Sequence, residues 1–158
     1  MRFLSGAIAA LALILAIWLL RSAGGEAWKK DLSLSITGHT NDQAGQRLVT
    51  FTLSNKGPLA INRAPFLTIL GPDGTPVGKT MSLIVRSPNY TLAPGQSWTT
   101  SVPAPEKVVR WRLAVPCVRS QRATLSTWAN KVPQISEHLP KKWRFPTYEP
   151  ILSEWVQQ

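Results

Sequence analysis

The chain has 158 residues, 44% hydrophobic and only 16% charged, which excludes a disordered polymer and leaves room for one domain with one sizeable core. Eighteen Lys and Arg stand against eight Asp and Glu, a formal net charge of +10, so any charged partner is expected to be anionic. Cys117 is the single cysteine, which excludes an internal disulfide and leaves stability to packing, an ordinary situation for bacterial exported domains.

Residues 3–20 carry no charge and one polar side chain, Ser5. As a helix they would reach about 27 Å at about 1.5 Å per residue, close to the ~30 Å hydrocarbon core. This predicts a signal-anchor, or transmembrane helix, over residues 1–21. Trp18 and Arg21 would sit at the headgroup level as its interfacial anchors. A cleaved signal peptide is the alternative, because residues 22–24 and 25–27 both offer small side chains at the −3 and −1 positions. The expected location is a single-pass membrane protein with its domain on the periplasmic side, or a periplasmic or secreted protein after cleavage.

A polar linker follows over residues 22–30. Leu32, Leu34 and Ile36 then alternate with Ser33, Ser35 and Thr37, and residues 48–53 alternate again before the turn Asn55-Lys56-Gly57-Pro58. Residues 38–45 read as a loop. Further short strands are expected over residues 66–70, 81–85, 98–102 and 108–115. Turns separate them at Gly71-Pro72-Asp73-Gly74, Ser87-Pro88-Asn89 and Ala93-Pro94-Gly95-Gln96. In the last of these strands, Val109, Trp111, Leu113 and Val115 share one face and Arg110 and Arg112 the other.

After residue 118 the pattern changes to an arm over residues 119–150, with a short helix expected over residues 122–131 and then four prolines. A final strand is expected within residues 151–158. The predicted fold class is therefore all-β: an immunoglobulin-like β-sandwich (residues 31–118) preceded by one N-terminal transmembrane helix, with a proline-rich C-terminal arm.

Four segments carry a resemblance: residues 51–57, residues 92–97 with the following strand, Arg110-Trp111-Arg112-Leu113, and Ser153-Glu154. Across residues 47–156 the chain resembles small uncharacterised bacterial proteins with an N-terminal signal or anchor and one immunoglobulin-like domain. The resemblance implies this fold and an exported location. It implies no activity and assigns no functional residue.

Nothing in the sequence assembles a catalytic set. Metal centres need converging His, Cys or carboxylate ligands, and the two histidines, His39 and His138, lie far apart in polar and proline-rich surroundings. Cys117, between Pro116 and Val118, is expected as a buried strand-end thiol rather than a nucleophile. No cofactor is implied and no enzyme is expected.

The basic residues are the remaining signal. Without Arg2 and Arg21, 16 basic residues oppose 8 acidic ones, a net +8. Lys107, Arg110, Arg112, Arg119 and Arg122 form one cluster; Lys141, Lys142 and Arg144 flank Trp143 in a second. Such groups suit anionic headgroups, at about 1 kcal/mol each near a bilayer. The expected partners are membrane lipid and a protein or membrane complex to which the chain is an accessory subunit. Nucleic acid, which basic and aromatic residues also suit, is disfavoured by the membrane segment.

Overall fold

The computed structural model describes residues 13–15, 26–77, 90–106, 108–131 and 147–157. Glu26–Asp31 form a 3-10 helix that leads into β1 (Leu32–Asn41) and β2 (Arg47–Asn55). Four shorter strands follow: β3 (Ile61–Arg63), β4 (Thr68–Leu70), β5 (Thr91–Leu92) and β6 (Ser97–Pro103). Then come β7 (Arg110–Arg119), helix α1 (Ser120–Lys131), β8 (Glu149–Leu152) and β9 (Val156–Gln157). The described chain is all-β in class, with α1 as its one long helix.

Every strand pair among the described residues is antiparallel, in two sheets. The smaller has the order β1-β2-β6. The larger is built around β7. Cys117 pairs with both Arg63 and Glu149, and Ala114 with both Thr68 and Leu152, so β3 and β4 share one edge of β7 while β8 and β9 share the other. β5 lies outside β3.

Alternation explains the core. Val49, Phe51 and Leu53 of β2 are fully buried, as are Trp111, Leu113 and Val115 of β7, each separated from the next by one residue. Both sets belong to a single apolar cluster, so the two sheets face each other across one core. The Phe51 and Trp111 rings meet edge to face, with centroids 5.8 Å apart, between the central strands of the two layers.

One end of this core is tied by a side chain. Asn55 is 2% exposed, and its Nδ2 donates to the carbonyls of Leu59, Leu92 and Ala93 at 2.8, 3.1 and 3.2 Å. Its Oδ1 accepts from the Gly57 N–H at 3.1 Å, so one amide satisfies two loops that pass between the sheets. Gly95, at φ +74°, provides the left-handed residue of the neighbouring turn, and its N–H donates to the Asn55 carbonyl at 2.8 Å.

Several expected elements occur with altered limits. β1 runs on through Asn41 instead of stopping at residue 37. An extra residue, Thr37, is accommodated between the pairs Ile36–Phe51 and Gly38–Thr50, and the bulge lets the hairpin continue. His39 is accordingly an exposed strand residue. β7 starts at Arg110, which leaves Val109 outside the ladder and 76% exposed instead of inward. The strand then continues through Pro116 to Arg119. Pro116 points its carbonyl at the Ala64 N–H, 2.8 Å away, where residues 64–67 interrupt the neighbouring lane, so its missing donor falls at an interruption rather than in a ladder. β3 and β5 were not anticipated; their three and two residues are too short for a period to register.

Leu13, Ile14 and Leu15 are helical and exposed. The rest of the apolar segment over residues 3–20, the strand expected at residues 81–85 and the arm over residues 132–146 lie outside the described residues. Among the described residues no helix is long and apolar enough to cross a membrane.

Candidate functional site: an arginine pair on one tryptophan

The outer face of the larger sheet is assembled from β7 and from a defect beside it. Along β7 the odd-numbered residues from Trp111 to Cys117 enter the core, so Arg110 and Arg112 project from the opposite face. On the adjacent edge, Leu152 pairs with Ala114 and Val156 with Trp111, which leaves three residues, 153–155, opposite two. Ser153 fills the gap. Its N–H donates to the Leu113 carbonyl at 2.9 Å, and its Oγ accepts from the Leu113 N–H at 2.9 Å. The same hydroxyl donates to the Glu154 carbonyl at 2.7 Å.

This bulge changes the side on which the following residue emerges. A straight strand would place Trp155 on the same face as Ile151. Instead the indole lies across the outer face, and the guanidinium carbons of Arg110 and Arg112 both sit 4.6 Å from its ring centroid. Cation–π attraction holds each in place at about 0.5–1 kcal/mol in a partly exposed setting. Neither arginine pairs with a carboxylate among the described residues, and the buried Arg112 Nε has no hydrogen-bond partner. Leu152, 39% exposed, pairs with Ala114, two residues along β7 from Arg112, and the exposed Val109 immediately precedes Arg110. The result is a small basic and aromatic face with apolar neighbours.

The linear cluster does not stay together. Arg119 stands seven residues along β7 from Arg112, roughly 24 Å at about 3.4 Å per residue. It is 8% exposed, and burial, with help from Arg122, lowers its pKa from the ordinary value. Arg122 projects from the first turn of α1 and is half-buried. Both interact with other groups of the chain. The structure thus brings Arg110 and Arg112 together and sets Arg119 and Arg122 at the other end of the strand. Lys107, Lys141, Lys142, Trp143, Arg144, Trp18 and Arg21 lie outside the described residues.

Trp155 was missed because its role depends on a bulge that has no signature in Leu152-Ser153-Glu154. A second arginine was missed as well. Arg63 of β3 is 3% exposed, with its guanidinium carbon 4.0 Å from the Trp98 ring centroid and 5.2 Å from that of Tyr90. Its Nη2 is buried without a partner. Burial pulls its pKa below the ordinary value, against smaller opposing contributions from Tyr90 and Cys117. Burial also pushes the Cys117 thiol up to about 12, which keeps it protonated and unreactive at neutral pH.

Among the described residues no group of three His, Cys, Asp or Glu converges as a metal site. A concavity of about 560 Å³ is lined by Gln46, Arg47 and Glu106 among others, and one of about 320 Å³ by Asn62, Thr124 and Lys131. In the second, Thr124 and Thr127 donate their hydroxyls to the carbonyls of Ser120 and Ala123 at 3.0 and 2.9 Å.

No family model matches the chain, and no curated protein does. Among solved structures it is similar to Northeast Structural Genomics Consortium target SoR45, determined by X-ray crystallography. That likeness has 11% sequence identity and a TM-score of 0.34, and covers 59% of this chain and 77% of that one.

Proposed function

We propose that this chain is a non-enzymatic interaction module: an immunoglobulin-like β-sandwich tethered by its N-terminal apolar segment, with the Arg110–Trp155–Arg112 face held against an anionic surface. It would serve as an accessory subunit of a membrane complex or as an envelope protein. The observation that carries this reading is the pair of guanidiniums, without carboxylate partners among the described residues, that both rest on Trp155. The net charge of +10 and the likeness of its strand and turn motifs to small exported bacterial proteins agree with it.

Magnitudes limit what such a face can do. Two basic residues near anionic headgroups contribute about 1 kcal/mol each, roughly thirtyfold in affinity together. That is too little to recruit a free protein. It is enough to orient one that a tether already keeps at high local concentration. The proposal therefore needs the anchor as much as the face.

The test uses the full chain in nanodiscs, labelled with a nitroxide at Leu152→Cys and probed with a relaxation agent on the lipid headgroups. Close approach in phosphatidylglycerol discs that is lost at high salt, and absent from phosphatidylcholine discs, is the expected result. Equal distances in the two lipids would remove the electrostatic contact. The alternative, a soluble periplasmic or secreted domain that binds an acidic polymer or protein, rests on the small residues at 22–27; a mature chain starting near Gly25 or Trp28 by mass would establish it.

A further inference from the structure

The two edges of the smaller sheet differ in how they end. The Asn55 N–H donates to the Gln96 carbonyl, and the Ala104 N–H to the Arg47 carbonyl, both at 2.9 Å. In an antiparallel ladder these bonds fix the direction of every other residue. Even-numbered residues of β6 therefore point their backbone groups at β2. Ser97, Thr99 and Ser101 point theirs at the free edge, where β6 has no neighbour among the described residues. Ser97, Thr99 and Ser101 are all exposed.

Natural sheets blunt such an edge with bulges, lysines or inward charges. β1, on the other side, has the Thr37 bulge and lies beside β8. β6 is a regular seven-residue strand, Ser97–Pro103, with no charged side chain; only its last residue is a proline. Among the described residues this edge is open, and its own sequence carries none of these defences.

Just inside it lies a charge that no carboxylate among the described residues offsets. Trp98 projects inward from β6 opposite Leu53, and Arg63 stacks on its ring, 97% buried with Nη2 unbonded. An isolated buried cation is costly, and a stacked indole offsets only part of that. A strand added to β6 would lie about 4.8 Å beyond it, with alternate side chains directed inward beside Trp98 and Thr100. A carboxylate at such a position is the group that Arg63 lacks among the described residues.

We infer that the free edge of β6 docks an extended segment of a partner protein, which adds as a strand and presents an Asp or Glu side chain to Arg63. Backbone bonds to Ser97, Thr99 and Ser101 supply register-fixed affinity, and the buried ion pair supplies the choice of sequence. A second copy of this chain fits less well, because β6 has no carboxylate to offer. This site is separate from the Arg110–Trp155 face, and neither proposal depends on the other.

The probe is a capped seven-residue peptide alternating threonine with valine, with one glutamate at its centre, compared with its glutamine counterpart. For the full chain in detergent, the glutamate peptide is expected to bind about tenfold tighter or better, because the glutamine leaves the charge unpaired. Amide exchange at Ser97, Thr99 and Ser101 should slow when the peptide is bound. Arg63→Met should abolish the preference between the peptides. Thr99→Pro removes an edge donor without touching the β2 ladder, and should weaken both peptides while leaving the melting temperature nearly unchanged. Equal affinities for the two peptides, no binding, or unchanged exchange at the three amides would each overturn the inference. So would concentration-dependent protection of the same amides without peptide, which would assign the edge to self-association.

Discussion

The outer faces of the two sheets are built on the same alternation and reach opposite results. On the smaller sheet the outward positions are hydroxyls that bond to one another across the strands. Thr50 meets Ser101 at 2.9 Å, Thr52 meets Thr99 at 3.0 Å, and Ser54 meets Ser97 at 2.9 Å. Thr37 adds a contact to Thr52 at 3.1 Å. That face is neutral and largely satisfied. On the larger sheet the exposed Arg110 and the half-buried Arg112 rest on an indole, and neither pairs with a carboxylate among the described residues. The contrast teaches that alternation alone does not set the character of a sheet face: what distinguishes the second is charge that no carboxylate among the described residues pairs.

Both faces depend on the shared core, so the largest effect should come from there. Trp111→Ala, at a fully buried position against Phe51, is expected to cost about 3–5 kcal/mol in denaturant unfolding and to disorder both faces together. Asn55→Ala strips the donors from three carbonyls and should cost about 2–3 kcal/mol. Its effect should appear first as faster exchange in the two loops near Leu59 and Leu92.

The core also carries a pH signature. The Cys117 pKa is raised from 9.0 to about 12, so the unfolded chain releases its proton first as pH rises. Stability is complete below about pH 9 and falls above it, by about 1.4 kcal/mol per pH unit, until the folded thiol also ionises. Cys117→Ala should flatten that limb of a stability–pH profile, at the cost of a small cavity. A thiol reagent should react with the native protein only at its unfolding rate.

Smaller effects separate the faces. Trp155→Ala should lower stability by about 1 kcal/mol, the worth of two partly exposed cation–π contacts, while removing most of the salt-sensitive approach to anionic nanodiscs. Thr52→Val, which deletes a hydroxyl shared with Thr37 and Thr99, should change stability by less than about 0.5 kcal/mol and leave that approach untouched. Equal loss of approach in these two variants would erase the distinction between the faces.

The strands most legible in advance were those with strict alternation, β1, β2, β6 and the centre of β7, because burying one face imposes a period of two. β3 and β5 left no pattern in so few residues. The candidate site was half legible. Arg110 and Arg112 were marked as outward by their spacing, and the structure puts them side by side. Grouping them with Arg119 and Arg122 assumed that nearness in sequence survives folding, whereas an extended strand carries residues apart faster than any other element.

By itself, the sequence determined the all-β class, the burial of Cys117 and the outward direction of Arg110 and Arg112, since each follows from local periodicity and turn chemistry. Tertiary structure alone decided that Trp155 supports both arginines, because one extra residue opposite Arg112 and Leu113 turns the indole outward. It alone decided that Arg63 is buried between two aromatic rings, because Trp98 and Tyr90 come to it from distant parts of the chain. Such contacts depend on how the layers meet, and no repeat within a strand records that.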